Sequence, residues 1–140
     1  MDIARVSIEG YRSIRSISFP LDRLAVLVGA NGTGKTNLYN ALRLLQAAAD
    51  GRLSEQVQAE GGIGSIFWAG ERRSHEKTRI SFSVTLSEIS GSGEQILVDP
   101  TYGFEIGFPR IDSAAFPLEA EVKEESLTAR FGGRKLQLME

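Results

Sequence analysis

One run of eight residues, three of them glycines, constrains this chain more than any other feature. The pattern G-x-x-x-x-G-K-[ST] is matched by Gly29-Ala30-Asn31-Gly32-Thr33-Gly34-Lys35-Thr36. An apolar segment comes directly before this run and a helical pattern directly after it, which is the context that the pattern requires. The glycines let successive backbone amides point at one anion, and the helix N-terminus adds its positive end. The sequence therefore predicts a phosphate-binding loop, or P-loop.

Two side chains of the P-loop have predicted roles that depend on their chemistry. Lys35 would reach the β- and γ-phosphates of a nucleotide as a cation, and the Thr36 hydroxyl would be one ligand of a magnesium ion. A glycine-rich turn with an incidental lysine is the alternative, but neither residue improves a bare turn. The predicted cofactors are ATP and Mg2+. The predicted nucleotide-binding residues of this segment are Gly29, Ala30, Asn31, Gly32, Thr33, Gly34, Lys35, Thr36 and Asn37.

The composition fits one globular domain and excludes several classes of protein. The chain has 140 residues, 41% of them hydrophobic, and no cysteine, so disulfide frameworks and thiolate metal sites are excluded. A net charge of -2 lacks the bulk positive charge of a protein that coats nucleic acid, although residues 1–43 hold six basic and three acidic side chains. No apolar run approaches the roughly 20 residues that span a bilayer. We expect a cytoplasmic protein without a membrane partner.

The front of the chain reads as strands followed by a helix. Strands are predicted at Ile3–Glu9, Ser16–Leu21 and Leu24–Val28. The last is a continuous apolar run, which is typical of a strand covered on both faces in a parallel sheet. Apolar residues then recur at helical spacing from Lys35 to about Ala49, and Asp50-Gly51 supplies the stop.

The rest of the chain reads as one short helix and then a series of strands. A helix is predicted from Ser54 to about Glu60, and Ile63–Gly70 is predicted to be a loop anchored by Phe67 and Trp68. Alternation with a period of two follows, with Ser-Gly and Gly-Gly turns between the runs, and predicts antiparallel strands with one wet face. The alternating runs are Ile80–Leu86, Phe104–Phe108, Leu118–Val122 and Leu136–Leu138.

Around the P-loop the chain resembles the SMC/RecF branch of the ABC-type ATPases. The resemblance covers residues 3–46 and rests on the P-loop, on the pairs Asn31-Gly32 and Asn37-Leu38, and on Gly10-Tyr11-Arg12-Ser13-Ile14 in the hairpin ahead of it. It implies an α/β P-loop NTPase fold, with an ABC-ATPase-like N-terminal lobe made of a mixed sheet, the P-loop helix and an antiparallel β meander. It also implies that Arg12 touches the nucleotide phosphates. Tyr11 lies where related transporter ATPases stack an aromatic on adenine, but a half-buried strand residue is the favoured interpretation.

The same resemblance implies how the parent protein works. The complete enzyme would dimerise around two nucleotides and act in DNA maintenance or defence, with DNA as a partner of the full-length protein. We expect residues 1–140 to be a single N-terminal ATPase lobe and a fragment of a longer ATPase. Within it, residues 1–50 would hold the hairpin, P-loop and helix, 51–79 a helix and loop, and 80–140 the antiparallel strands. The partner would be the missing C-terminal ATPase half.

Hydrolysis needs parts that this chain does not clearly supply. A second apolar strand must end in an acidic residue for magnesium, and another side chain must orient water. Asp99 follows an apolar run, and Ser90–Gly93 before it superficially resembles the signature Ser-Gly-Gly motif of the family. In the family a helix of several turns separates that signature from the strand that ends in the acidic residue, whereas here Ser90–Gly93 leads straight into the apolar run. Gln137 alternates with leucines and is expected to face solvent, and His75 has no ligand partners nearby. No catalytic residue is predicted.

Three alternatives remain at this point. A transporter-coupling ATPase module more often has Ser at the position of Asn31 and Ser-Thr-Leu in place of Thr36-Asn37-Leu38. A small P-loop kinase usually begins with its P-loop strand rather than with a hairpin. An inert piece deprived of its partner strands would expose apolar surface.

Overall fold

The computed structural model describes residues 2–21, 24–72, 74–76, 78–87, 99–109, 119–131 and 134–139. Their strands form one six-stranded sheet, and the helices lie between the second and third strands along the chain. In chain order the elements are β1 Ile3–Tyr11, β2 Ile14–Pro20, α1 Lys35–Ala49, α2 Leu53–Ala59, α3 Ile63–Ile66, β3 Arg79–Leu86, β4 Thr101–Gly107, β5 Glu121–Phe131 and β6 Arg134–Met139.

The sheet has the strand order β2-β1-β3-β4-β5-β6. Every pairing among the described residues is antiparallel, which confirms the predicted antiparallel meander and leaves the parallel part of the predicted mixed sheet unobserved there. β1 of the N-terminal hairpin pairs with β3, the first strand of the meander, and in this pairing Val6 lies opposite Val84 and Ile8 opposite Phe82. Because residues of equal parity share one face, these apolar side chains line the same side of the sheet.

The core is a cluster of apolar side chains from this sheet face and from the helices. Val6 and Ile8 are fully inaccessible to solvent, and Phe82 stacks on Phe104 with ring centroids 5.1 Å apart. Helix α1 contributes residues three apart in sequence, which is the spacing of one helical face. The buried residues of the helices are Leu38, Ala41, Leu44, Ala47, Val57, Ile63 and Ile66.

Gly10 directs the end of β1 away from β3. The pairing of β1 with β3 stops at Glu9, and Gly10 then adopts a φ of +75°. From there the strand meets the segment after α3 instead: the Trp68 amide donates to the Gly10 carbonyl, and Tyr11 forms a bridge with Phe67. The turn between β1 and β2 is therefore held by the helical part of the molecule.

The predicted buried strand at Leu24–Val28 is wrong. The segment has no regular secondary structure, and Leu24, Val26 and Val28 expose 83%, 74% and 91% of their surface. A continuous apolar run predicts a strand with covering layers on both faces. No described strand runs beside this segment, so no described element covers its apolar side chains.

The remaining predicted elements are close to the observed ones. The two helices are present as α1 and α2, but part of the predicted loop after them is the short helix α3, because the apolar pair Ile63 and Ile66 is buried one helical turn apart. The final alternating run lies in β6. Ser90–Gly93, Leu118 and residues 132–133 lie outside the described residues. Among the described helices, none has the length and apolar character needed to cross a bilayer.

Candidate nucleotide-binding site

The P-loop turns sharply just before α1. Gly32 and Gly34 have φ angles of +84° and +92°, a conformation that residues with a side chain rarely adopt. The Thr33 hydroxyl donates to the Ala30 carbonyl at 2.9 Å and closes the turn from inside. An added Cβ on Gly34 would also lie only 3.2 Å from the Ser13 hydroxyl. Two glycines of the motif are therefore required by backbone geometry.

Lys35 points back into the loop. Its ammonium group donates to the carbonyls of Gly29 and Ala30, with Nζ to oxygen distances of 2.5 and 2.6 Å. The side chain thus curls over the residues that precede it rather than extending along the helix. This direction is the one that a lysine needs in order to reach phosphate oxygens held by the loop.

The start of α1 offers hydrogen-bond donors and positive potential. The backbone amides of residues 32–37 donate no hydrogen bond to any described residue, whereas the Leu38 amide donates to the Gly34 carbonyl. No acidic side chain lies in the first turn to offset the helix dipole. The Thr36 side chain is exposed, and its hydroxyl bonds to no described residue. These groups fit the phosphates of a nucleoside triphosphate, with Thr36 available as a magnesium ligand.

The β1–β2 turn packs directly against the P-loop. Asn37 Nδ2 donates to the Ser13 hydroxyl at 2.7 Å, so the hairpin and the first turn of α1 are joined by a side-chain bond. Between β2 and the loop lies a pocket of about 480 Å³ that combines apolar and polar walls. Ile17, Val28 and Leu38 supply apolar surface, and Lys35 and Arg15 also line the pocket, with the Arg15 guanidinium 3.5 Å from Glu76 Oε1.

Arg12 does not contact the P-loop, but it is the centre of a bonded cluster beside it. Its Nη2 lies 3.1 Å from Glu60 Oε2, and its Nε also faces that oxygen. Tyr11 is fully buried and donates its phenolic proton to the same oxygen at 2.5 Å. Burial raises the pKa of Tyr11 well above its ordinary value, and the bond to Glu60 adds to the rise. Since Tyr11 is enclosed, its ring is not accessible for stacking on a base.

The other polar residues considered from the sequence lie away from the P-loop or at the surface. Asp99 precedes β4, whose first residue pairs with Thr85, whereas the β1–β2 turn lies beyond the opposite end of β3. The length of a strand, about 20–25 Å, separates those two ends of the sheet. Gln137 is an exposed residue of β6 and His75 is exposed. Among the described residues, no cluster of His, Asp or Glu is arranged to hold a metal ion.

Comparison with known proteins identifies the family. Residues 1–105 match a family model described as an AAA ATPase domain. The chain belongs to this family. Together with the relatives below, this match confirms the predicted resemblance to SMC/RecF-like P-loop ATPases of the ABC type.

The similar curated proteins are named DNA replication and repair protein RecF. The protein of Pseudomonas syringae pv. syringae is 40% identical over 71 residues, covering 48% of this chain and 19% of the relative. That of Pseudomonas fluorescens (strain Pf0-1) is 40% identical over 98 residues, covering 57% and 27%. That of Rhizobium etli is 34% identical over 103 residues, covering 58% and 27%. The matched part of the chain therefore spans only 19% to 27% of the length of these relatives.

A solved structure supports the fold. It comes from work on ATP-driven dimerization and DNA stimulated activation of SMC ATPases, and it superposes with a TM-score of 0.55 at 16% identity. The match covers 97% of this chain and 72% of the solved one. The predicted P-loop NTPase fold with ABC-ATPase character is thus confirmed.

Sequence reasoning missed three residues of this region. Ser13 was part of the hairpin motif but had no assigned role, although its place in the hairpin turn ahead of the P-loop was a signal. Arg15 follows two positions later and lines the pocket. Glu60 gave no local signal, because its partners Tyr11 and Arg12 precede it by 49 and 48 residues.

Proposed function

We propose that this AAA ATPase domain binds ATP with Mg2+ as the N-terminal half of a RecF/SMC-like ATPase. In this proposal the amides of residues 29–37 surround the phosphates, Lys35 neutralises the β- and γ-phosphates, and Thr36 ligates the metal. Arg12 adds a further contact to a phosphate from the hairpin turn. The domain's own residues thus bind and orient the nucleotide.

The direction of Lys35 is the observation that carries this proposal. The ammonium folds back onto the loop, 2.5 and 2.6 Å from the Gly29 and Ala30 carbonyl oxygens. A phosphate at the donor-rich start of α1 would meet both the free amides and this cation. An ordinary surface lysine at the start of a helix would instead extend its ammonium group into water, away from the loop.

The test is the thermal midpoint of the chain with increasing MgATP. At a hundred times the dissociation constant, binding stabilises the folded state by about 2.7 kcal/mol. For a domain of this size we expect the midpoint to rise by roughly 5–10 °C. Lys35→Ala should abolish the rise, measured from the variant's own baseline.

Arg43→Ala is the matched control, because it removes an exposed cation from the same helix without touching the loop. It should leave the rise intact. A flat titration of the unmodified chain at millimolar MgATP would refute the site. Equal loss in both variants would assign the effect to general charge rather than to the P-loop.

We propose further that hydrolysis is completed by a C-terminal half and by dimerisation. Support comes from the small share of the RecF relatives that the domain spans and from the exposed apolar segment beside the P-loop. Phosphate release by this chain alone at an ordinary enzymatic rate, lost in Asp99→Asn, would contradict this part.

A role in DNA maintenance or defence completes the proposal. The curated relatives are named for DNA replication and repair, and the solved relative for ATP-driven dimerization and DNA stimulation. In this proposal the full-length protein dimerises, contacts DNA and resides in the cytoplasm. Neither a transporter module nor a metabolite kinase is favoured by any observation on the described residues. ATP-dependent DNA binding by the longer protein, absent in Lys35→Ala, is the corresponding measurement.

A further inference from the structure

Glu60 is a nearly buried carboxylate whose position is costly in isolation. Its side chain is 9% exposed, and it lies at the C-terminal end of α2, where the helix dipole disfavours negative charge. A buried ion pair is weak evidence for stability, since apolar residues of similar volume often do as well. The carboxylate therefore calls for a reason other than folding.

The hydrogen bonds of Glu60 converge on the hairpin turn. Oε2 accepts from the Tyr11 hydroxyl at 2.5 Å and from Arg12 Nη2 at 3.1 Å. The Glu60 backbone carbonyl accepts from the same Nη2 at 3.2 Å, while Oε1 accepts from Gln56. The Nε–Nη2 edge of the guanidinium is thus held by Glu60, and Nε also lies 3.3 Å from the Tyr11 hydroxyl. Nη1 makes no hydrogen bond to any described residue, and the Arg12 side chain is 30% exposed.

The backbone of Arg12 is fixed as firmly as its side chain. Its φ of +46° makes it the only described non-glycine residue in the left-handed region. Its amide donates to the Ile66 carbonyl at 2.9 Å, and its carbonyl accepts from the Ala69 amide at 2.8 Å. Strain of this kind persists only where the surroundings determine the conformation. The next residue, Ser13, contacts the P-loop helix.

We propose that Glu60 is a positioning residue of the nucleotide site, holding one edge of the Arg12 guanidinium so that its Nη1 side faces a nucleotide phosphate. The proposal rests on the proposed ATP-binding function and adds a residue to it. Glu60 itself does not touch the nucleotide. It acts through Arg12, whose rigid fork suits a carboxylate on one edge and a phosphate on the other.

The test is a double-mutant cycle on MgATP affinity with the full chain. Arg12→Ala and Glu60→Gln should each weaken binding about tenfold, as expected for loss of a charge-assisted contact. The variant carrying both changes should bind no more weakly than Arg12→Ala alone, because Glu60 acts only through Arg12. Arg12→Lys should not restore affinity, since an ammonium lacks the second edge.

Asp50→Asn is the matched control, because it also removes a carboxylate paired with an arginine, at an exposed site away from the P-loop. It should bind MgATP as the unmodified chain does. Affinity in Glu60→Gln that equals or exceeds that of the unmodified chain would overturn the proposal. So would losses from Arg12→Ala and Glu60→Gln that multiply, since they would show independent, merely structural effects.

A measurement on the unmodified chain guards against variants that fail to fold. In nitrogen-15 NMR, the Nε–H signal of Arg12 should stay in its hydrogen-bonded position when MgATP is added, while the Nη1 signal shifts. Movement of Nε–H on binding would mean that Arg12 leaves Glu60, and would overturn the proposal. If the unmodified chain binds no MgATP, both proposals fail. If it binds in a Lys35-dependent way but Glu60→Gln is neutral, only this one fails.

Discussion

Gly10 and Gly51 have nearly the same backbone angle but different surroundings. Their φ angles are +75° and +72°. A Cβ added to Gly51, which follows α1, would meet no atom within 4 Å, whereas one added to Gly10 would lie 2.4 Å from the Arg79 carbonyl oxygen. The close approach at Gly10 is where β1 leaves β3 and turns toward the segment after α3. Gly10 therefore sets the position of the turn that contacts the P-loop.

We expect Gly10→Ala to destabilise the fold much more than Gly51→Ala. At Gly51 the cost is the left-handed conformation alone, about 1 kcal/mol. At Gly10 the backbone must also shift away from Arg79, and the total should reach roughly 3 kcal/mol or more. Urea unfolding of the two variants measures both costs. Equal free energies of unfolding would show that β1 adjusts freely at this point.

At the scale of elements, the parts predicted correctly are those whose signal is local. Helix α1 was predictable because its apolar spacing and its stop lie within the element itself. The Leu24–Val28 segment was not, because a strand depends on neighbours that its own residues do not encode. The sharp turn before α1 was likewise predictable from its glycine motif, whereas the bond from Arg12 to Glu60 joins residues 48 positions apart. Helix α3 was missed since four residues carry too little periodicity.

The pair β4–β5 carries a pH-dependent contact. Tyr102 of β4 donates its phenolic proton to Glu125 Oε1 of β5 at 2.6 Å. Burial, together with this hydrogen bond, raises the pKa of Tyr102 to about 12. Because the folded state favours the neutral phenol, its stabilising contribution is complete below a pH of about 10, the ordinary value for tyrosine. It is lost as the pH rises from about 10 to about 12.

We expect Tyr102→Phe to flatten the alkaline part of the stability profile. Between pH 9 and 11 the unmodified chain should lose roughly 0.5 kcal/mol more of its free energy of unfolding than the variant does, because solvent screens this partly exposed contact and reduces the effect of the full pKa shift. Urea unfolding at stepped pH measures the difference. Tyr39→Phe, which removes an exposed phenol from α1, is the matched control for loss of a hydroxyl. Parallel profiles for the unmodified chain and Tyr102→Phe would contradict the prediction.

At the scale of the whole molecule, apolar surface is concentrated in two places. The Leu24–Val28 segment lies beside the P-loop, and Leu136 and Leu138 lie on β6, at an edge of the sheet. Contiguous exposed apolar surface typically marks an interaction site, and an exposed edge strand is open to pairing with another chain. The Leu24–Val28 segment therefore predicts association through apolar contact, and β6 predicts association through strand pairing.

We expect the segment near the P-loop to dominate binding of a hydrophobic dye. Replacing Leu24, Val26 and Val28 by serine should remove most of the ANS fluorescence of the folded chain. The free energy of unfolding should change by no more than about 0.5 kcal/mol per substitution, as at other exposed positions. Leu136→Ser with Leu138→Ser is the matched control on β6. Loss of dye binding in the control, but not in the first variant, would contradict the prediction.

The place of β1 in the sheet has a consequence for synthesis. β1 pairs with β2, its neighbour along the chain, and with β3, which is translated only after all three helices. A two-stranded hairpin alone is marginal in water. A ribosome that has not yet reached Arg79 therefore carries a P-loop whose supporting hairpin lacks its third strand, and we expect the proposed nucleotide site to become firm only once β3 has emerged.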